Sequence, residues 1–410
     1  MTDLGGAGSH RAETRPGAAG PALVVLLVAL VAVGPLTTDL YLPSLPNMAR
    51  AFHAAPAEVK LTLSLYMAAF GCAQLVYGPL SDRLGRRPVL LVGLGLYVLA
   101  SAACALAATV GELVALRIVQ AFGACSATVI GRAVVRDLFA GARAVQALAA
   151  IGAAMALAPV LGPLAGGVLE EAFGWRAAFV ALAVLGAALL GIVAATLAET
   201  NRGRGTGTGG VAASLRGYLV LLGARSYVGF VVGIAFTFAG LFLFISESSF
   251  VMIDHLGLSP SGYAASFAAV AAGYMIGNIV SARLSRRHPP QAMVRAGAGL
   301  CAGAGAAMCA LALGGVAHLA AVIAPMSAYM IGVGLVMPNG IAGALMPFPE
   351  RAGAASALLG FTQMVFAALI AWAVSLLPAA GALPLAVGTA ALGALALATF
   401  ITLMPAAPRQ

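Results

Sequence analysis

GPLSDRLGRRP, Gly78 to Pro88, is the stretch on which the reading of the chain turns. It gathers Asp82, Arg83, Arg86 and Arg87 in a chain in which only 9% of residues are charged. A long apolar run ends just before it and another begins just after it. Charge is costly in lipid, so the stretch belongs at a water interface, as a tight turn between two membrane helices. Gly78 is expected to let its helix approach a neighbour closely, and Gly85 to permit the reversal of the chain. A basic loop that only anchors the chain in the bilayer is the plainer alternative. It would not call for Asp82 or for two glycines in this spacing.

Outward from that turn the composition agrees. Of 410 residues, 62% are hydrophobic and 51 are glycine, whereas a soluble domain carries roughly a quarter charged residues. The chain is read as an all-α integral membrane protein whose surroundings are the lipid bilayer. Apolar runs of about the 20 residues needed to cross it recur at 21–43, 58–80, 88–108, 111–132, 144–169, 176–197, 226–250, 261–282, 291–313, 317–341, 352–376 and 382–404. Twelve transmembrane helices place both termini on one side. Putting that side in the cytoplasm leaves, of the 22 Lys and Arg, only Arg50, Lys60 and Arg176 outside and Arg117 within a span. The net charge of +9 is therefore a topology signal, and no nucleic-acid partner is expected. The run from Pro21 has no convincing cleavage site and reads as an uncleaved first helix. The five cysteines lie in apolar spans without metal-ligand spacing, so neither metal nor cofactor is expected.

Ala282 to Pro289, ARLSRRHP, echoes Asp82 to Pro88 at a shift of 200 residues, superposing Arg83, Leu84, Arg86 and Arg87 on Arg283, Leu284, Arg286 and Arg287. Both copies close the second span of a six-span half, which points to duplication into two six-helix pseudo-repeats. The second copy has Ala282 where the first has Asp82. The expected organisation is a disordered cytoplasmic N-terminus at 1–20 and a six-helix bundle at 21–198. A cytoplasmic linker at 199–224, a second bundle at 225–404 and a tail at 405–410 complete it. Within the linker, ETNRGRGTGTGG has the composition of a flexible segment.

Three charges stand where lipid would exclude them. Asp39 lies late in the first span, flanked by Gly34, Pro35 and Pro43. A span interrupted by Gly and Pro that carries an acid points to a transport site; a solvated acid at the outer helix end is the alternative. Arg117 sits well inside the fourth span and needs an acceptor, either a carboxylate or carbonyls freed by a kinked helix. Glu247, near the end of the seventh span, mirrors Asp39 in the second half or is an interfacial acid. In the fifth span, GAAMALAPVLGPLAGG places Gly152, Pro159, Gly162, Pro163, Gly166 and Gly167 together. The prolines can bend that helix, and the glycines give it a smooth face against which another helix can pivot.

The Gly78–Pro88 pattern resembles the loop between helices 2 and 3 that marks the major facilitator superfamily of transporters. The Gly/Pro spacing of span five is similar to that of its proton-coupled drug exporters, as is Arg117-x-x-Gln120-x-x-Gly123 in span four. With TDLYLPSLP ahead of them, the motifs look like the bicyclomycin/chloramphenicol-resistance branch over roughly residues 35–200. The resemblance implies the major facilitator fold in a bacterial inner membrane and, for a monomer, export of small, largely apolar drugs in exchange for protons. It implies that Gly78, Asp82, Arg83, Gly85, Arg86, Arg87 and Asp137 form a conformational latch. By the same resemblance Asp39 and Arg117 serve proton coupling, with Glu247 as a further candidate. Tyr41, Tyr66, Phe70, Gln120, Phe242 and Gln363 are candidate cavity walls. Val31 stands in the region where some relatives carry a second acid. Export of an endogenous metabolite would use the same cavity. A polytopic membrane enzyme would need convergent nucleophilic, acid/base or metal groups at one depth. The chain has no HExxH, Gly-x-Ser-x-Gly or Walker-type motif, so no catalytic residue is expected.

Overall fold

The computed structural model describes residues 21–201, 211–377 and 381–404. The expected disordered N-terminus, the middle of the expected linker and the tail lie outside the described residues. The helices are α1 (Pro21–Asp39), α2 (Leu45–Phe52), α3 (Pro56–Leu84), α4 (Arg86–Leu106), α5 (Val110–Leu138), α6 (Gly141–Phe173) and α7 (Arg176–Thr196). They continue as α8 (Val211–Gly223), α9 (Arg225–Ser249), α10 (Pro260–Leu284), α11 (Pro290–Leu313), α12 (Leu319–Leu345), α13 (Ala352–Ser375) and α14 (Leu383–Thr402). Among the described residues, twelve segments are long and apolar enough to cross a membrane; α1 and α2 count as one, and α9 continues through a π-helical turn to His255. α8 lies within the stretch expected to be linker.

Two six-helix groups result. In the first, α1 packs on α5 and α6, α3 on α5, and α4 on α5 and α7. In the second, α9 packs on α12, α13 and α14, α11 on α12 and α14, and α10 on α12. The groups meet where α3 lies on α13 and α6 on α10. Close approach is bought with glycine inside each group: a Cβ on Gly123 would sit 2.6 Å from the Tyr97 backbone, and one on Gly334 2.7 Å from Asn278 N. With no hydrophobic force between helices in lipid, such backbone contact supplies the packing energy.

The Gly78–Pro88 turn is as tight as expected. α3 ends at Leu84, α4 begins at Arg86, and Gly85 alone joins them at φ 101°, a conformation that costs glycine little. Gly78 departs from its expected role. A Cβ there would meet nothing within 4 Å, so no helix is seated on it. Two carboxylate oxygens of Glu199 accept hydrogen bonds from the N–H groups of Arg86 and Arg87 at 2.9 and 3.1 Å. They satisfy orphan donors and complement the positive end of α4. The described start of the linker is thus held on the turn. We call the side bearing this turn and α8 the linker side, and the opposite one the far side.

Candidate functional site

The first span breaks at Asp39. Pro35 lies inside α1 and offers no N–H, α1 stops at Asp39, and a 3-10 turn over Leu42–Ser44 leads into α2. Asp39 is 2% exposed. Thr38 Oγ1 lies 2.8 Å from Pro35 O and 3.0 Å from Asp39 Oδ1. A hydroxyl has one proton to donate. When that proton goes to Pro35 O, the oxygen can accept from a protonated Asp39. When Asp39 is ionised, the same proton turns to the carboxylate. Both protonation states of the acid therefore find a partner in one side chain.

Arg117, fully buried, takes carbonyls and an amide where a carboxylate was the other expectation. Its Nη1 donates to Thr37 O at 3.2 Å and to Gln120 Oε1 at 2.6 Å, and its Nε donates to Thr62 O at 3.4 Å. Thr37 O is available because α1 ends two residues later and leaves its last carbonyls without helical partners. The guanidinium lies between the rings of Tyr41 and Tyr66, 4.4 and 4.2 Å from their centroids, an arrangement that stabilises a desolvated cation. No ion pair joins it to Asp39 among the described residues.

A cavity of about 770 Å³ lies between the two helix groups. Asp39 lines it from the far side, and it runs past Phe70, Gln74 and Met155 to Leu345 and Ser356 toward the linker side. Of the expected wall residues, Tyr66, Phe70 and Gln363 line it. Three others do not. Tyr41 is turned onto Arg117 and bonds Thr62 Oγ1 at 3.1 Å. Gln120 is spent on Arg117 and on Ser101 Oγ at 2.8 Å. Phe242 is fully buried, and its neighbours Phe238, Leu241 and Phe244 face the cavity from the same helix in its place. Gly152 and Pro159 of α6 also line it. Arg132, counted from the sequence among the charges beyond the span, is a lining residue as well.

Glu247 is absent from the lining. It belongs to a seam that closes the far side between the helix groups. Lys60 Nζ lies 2.7 Å from Glu247 Oε2 with both side chains buried, and the ammonium sits 4.9 Å from the Phe250 ring. Arg50 pairs with Asp254 at 2.9 Å, and Glu171 Oε1 accepts from Ser261 N at 2.9 Å. No described ion pair crosses between the groups on the linker side. The cavity is accordingly shut on the far side.

On α6, Gly162 and Gly166 face the broken first span and Gly167 faces the start of α10. A Cβ on Gly162 would sit 2.8 Å from Asp39 Cβ, one on Gly166 would collide with Leu40 O, and one on Gly167 would lie 2.9 Å from Pro260 O. Pro163 is buried beside them, whereas Gly152 has open space around it. Gly162→Leu is expected to leave the protein in the membrane and to impair any exchange that depends on Asp39. Forcing bulk into such a contact costs typically 1–3 kcal/mol. Unaltered coupled transport in that variant would reduce the stripe to passive packing.

On the linker side the turn residues form a polar cluster. Arg86 bridges Asp82 at 2.5 Å and Asp137 at 3.0 Å and donates to Ser81 Oγ at 2.7 Å. Arg87 donates to Ala194 O at 2.8 Å. Thr200 Oγ1 and Asn201 Nδ2 add bonds to Asp137 Oδ2 and Asp82 O at 3.2 and 2.7 Å. The Asp82 side chain is 61% exposed, and among the described residues Arg83 takes part in no ion pair. Lys60 reads from the sequence only as a charge outside the membrane, and Arg132, Glu199 and Tyr97, which bonds Thr37 Oγ1 at 2.7 Å, carry no expectation of a role there. Their partners lie in distant helices, and only the tertiary fold brings them together.

A family model described as Major Facilitator Superfamily matches residues 27–371. The chain is 34% identical over 346 residues to a chloramphenicol resistance protein of Pseudomonas aeruginosa, covering 82% of this chain and 80% of that one. It is 29% identical over 362 residues to multidrug resistance protein D of Escherichia coli strain K12, covering 88% and 90%. Among solved structures, a partially occluded inward-open xylose transporter from E. coli superposes with a TM-score of 0.75 at 13% identity, covering 94% of this chain and 97% of that one.

Proposed function

We propose that this chain, which belongs to the Major Facilitator Superfamily, exports small, largely apolar drugs of the bicyclomycin or chloramphenicol type. Secondary transport by alternating access moves them outward in exchange for protons. Relatives named for chloramphenicol and multidrug resistance align over most of its length, and the cavity is lined chiefly by apolar side chains. We place the protein in a bacterial inner membrane, as a monomer with both termini and the linker side in the cytoplasm. The cavity then opens inward. Asp82, Arg86 and Asp137, joined by Arg83, Arg87, Gly85 and Gly78 of the same turn, serve as the latch.

The observation that carries proton coupling is Asp39 at the closed end of the cavity, with Thr38 able to bond either of its protonation states. Unpaired charge buried in apolar surroundings is costly, so a site closed to water favours the protonated acid. Water or a competing ligand arriving from the linker side favours release. Drug and proton then compete for one site, which is antiport expressed as linkage. Arg117 holds the end of α1 in place. Proteoliposomes loaded through an imposed proton gradient test the reading: uptake of chloramphenicol should rise with the gradient and collapse with a protonophore. Gradient-independent uptake would overturn it.

Glu247 serves the outer gate in this reading, as the partner of Lys60. Removing one member of a buried ion pair typically costs 3–5 kcal/mol, whereas replacing both with apolar groups is often neutral. Glu247→Gln is therefore expected to open the far side, and Lys60→Met with Glu247→Leu to close it again. A single cysteine at Ser64, in a background without the native five, should be labelled several-fold faster by an impermeant thiol reagent in the single variant only. Equal labelling in all three proteins would exclude the gate.

A further inference from the structure

The two ends of the cavity carry an acid and a base, and the basic one has no protein partner that matches it. Asp39 is the acid lining the cavity among the described residues, and Arg132 of α5 is the base. Arg132 is exposed within the bundle. Among the described residues its Nη2 donates to Met155 Sδ at 3.1 Å, and thioether sulfur is a weak acceptor. The four ion pairs among described residues leave it out, and the acid nearest in sequence, Asp137, is taken by Arg86. A guanidinium offers five donors in a planar fork suited to carboxylate and phosphate, and one sulfur cannot satisfy them.

Anchoring a helix end does not account for this residue. α5 runs six residues past it to Leu138, where Arg136 already marks the interface. The register of the helices places Arg132 along the cavity. A Cβ on its neighbour Gly131 would lie 3.6 Å from Leu30 Cβ. Leu30 precedes Asp39 by nine residues of α1, which at 1.5 Å per residue is about 13 Å. The wall between them is apolar and aromatic, with Met67, Phe70 and Phe238 in it.

We propose that Arg132 is a substrate-binding residue that takes the anionic or acceptor-rich end of an elongated aromatic substrate whose other end reaches Asp39. The substrate class is therefore small aromatic carboxylates and zwitterions as well as neutral drugs. The assignment rests on the reading of this cavity as the substrate site.

Rhodamine 110, which carries a carboxylate, and its methyl ester, which does not, form a matched pair of probes. Their binding to purified protein in detergent is read by fluorescence polarisation without any gradient. Arg132→Gln is expected to weaken rhodamine 110 about tenfold, the size of one charge-assisted hydrogen bond, and the ester less than about threefold (~0.7 kcal/mol). Arg132→Lys should keep part of the preference, because it retains the charge and loses the fork. Retained ester binding shows that the variants are folded. An equal change for both dyes, no change, or a wild type that does not bind rhodamine 110 would overturn the assignment. Correct dye selectivity without gradient-driven export would overturn the export reading instead and leave Arg132 in its role.

Discussion

Asp39→Asn is expected to abolish export driven by the proton gradient while leaving the binding of neutral drugs within about threefold (~0.7 kcal/mol). The substitution keeps the volume of the side chain and its bond with Thr38, so the break at the end of α1 and its packing on Gly162 survive. It removes only the exchangeable proton. Chloramphenicol added to purified, lightly buffered wild-type protein should therefore release protons, and the same addition to the variant should release none. Equal release would move the coupling to another acid. Glu247, held by Lys60 outside the cavity lining, would then be the first to test.

The second large effect is expected at Arg117. Truncation to alanine deletes the hydrogen bonds to Thr37 O, Thr62 O and Gln120 and empties the space between Tyr41 and Tyr66. Large-to-small changes at such sites cost about 3–5 kcal/mol. Carbonyls left buried without donors cost about 1–3 kcal/mol more. The end of α1 that carries Asp39 would lose its support, so transport and thermal stability should fall together. Arg117→Lys keeps the charge and one or two bonds but loses the planar contact with the rings, and should lie between alanine and wild type in both. Melting in detergent measures stability, and drug-induced proton release measures coupling. An alanine variant that melts within about 2 °C of wild type and releases protons normally would show that the cage is incidental.

Much of this is legible in the sequence. The turn at Gly85 follows from charge that cannot enter lipid, and the interruption at Asp39 follows from Pro35 and Pro43 around an acid. Arg117 is conspicuous for the same reason: its depth demands acceptors. What escaped depends on which way a helix faces. An apolar helix surrounded by lipid on one side and protein on the other shows little contrast between its faces. Tyr41, Gln120 and Phe242 therefore read as cavity walls, and Gly78 as a packing site, although none takes that position. Arg132 escaped for another reason. Hydropathy ends a span where charge begins, at 132 in this chain, yet α5 continues to Leu138, and a charge that faces a cavity rather than lipid does not end a helix. Lys60 and Glu247 lie 187 residues apart, and no local pattern announces such a pair.

Asp39 is the carboxylate that lines the cavity among the described residues, and that has an electrical consequence. Under the proposed coupling through Asp39, one proton is exchanged per turnover. For a neutral drug the cycle then moves one positive charge inward, and the membrane voltage adds its force to the pH difference. One charge crossing 100 mV is worth about 2.3 kcal/mol, enough to hold a drug gradient of roughly fiftyfold. For a singly charged cationic drug the two movements cancel, and voltage contributes nothing. The same protein would thus be a voltage-driven pump for one class of compound and an electrically silent exchanger for another.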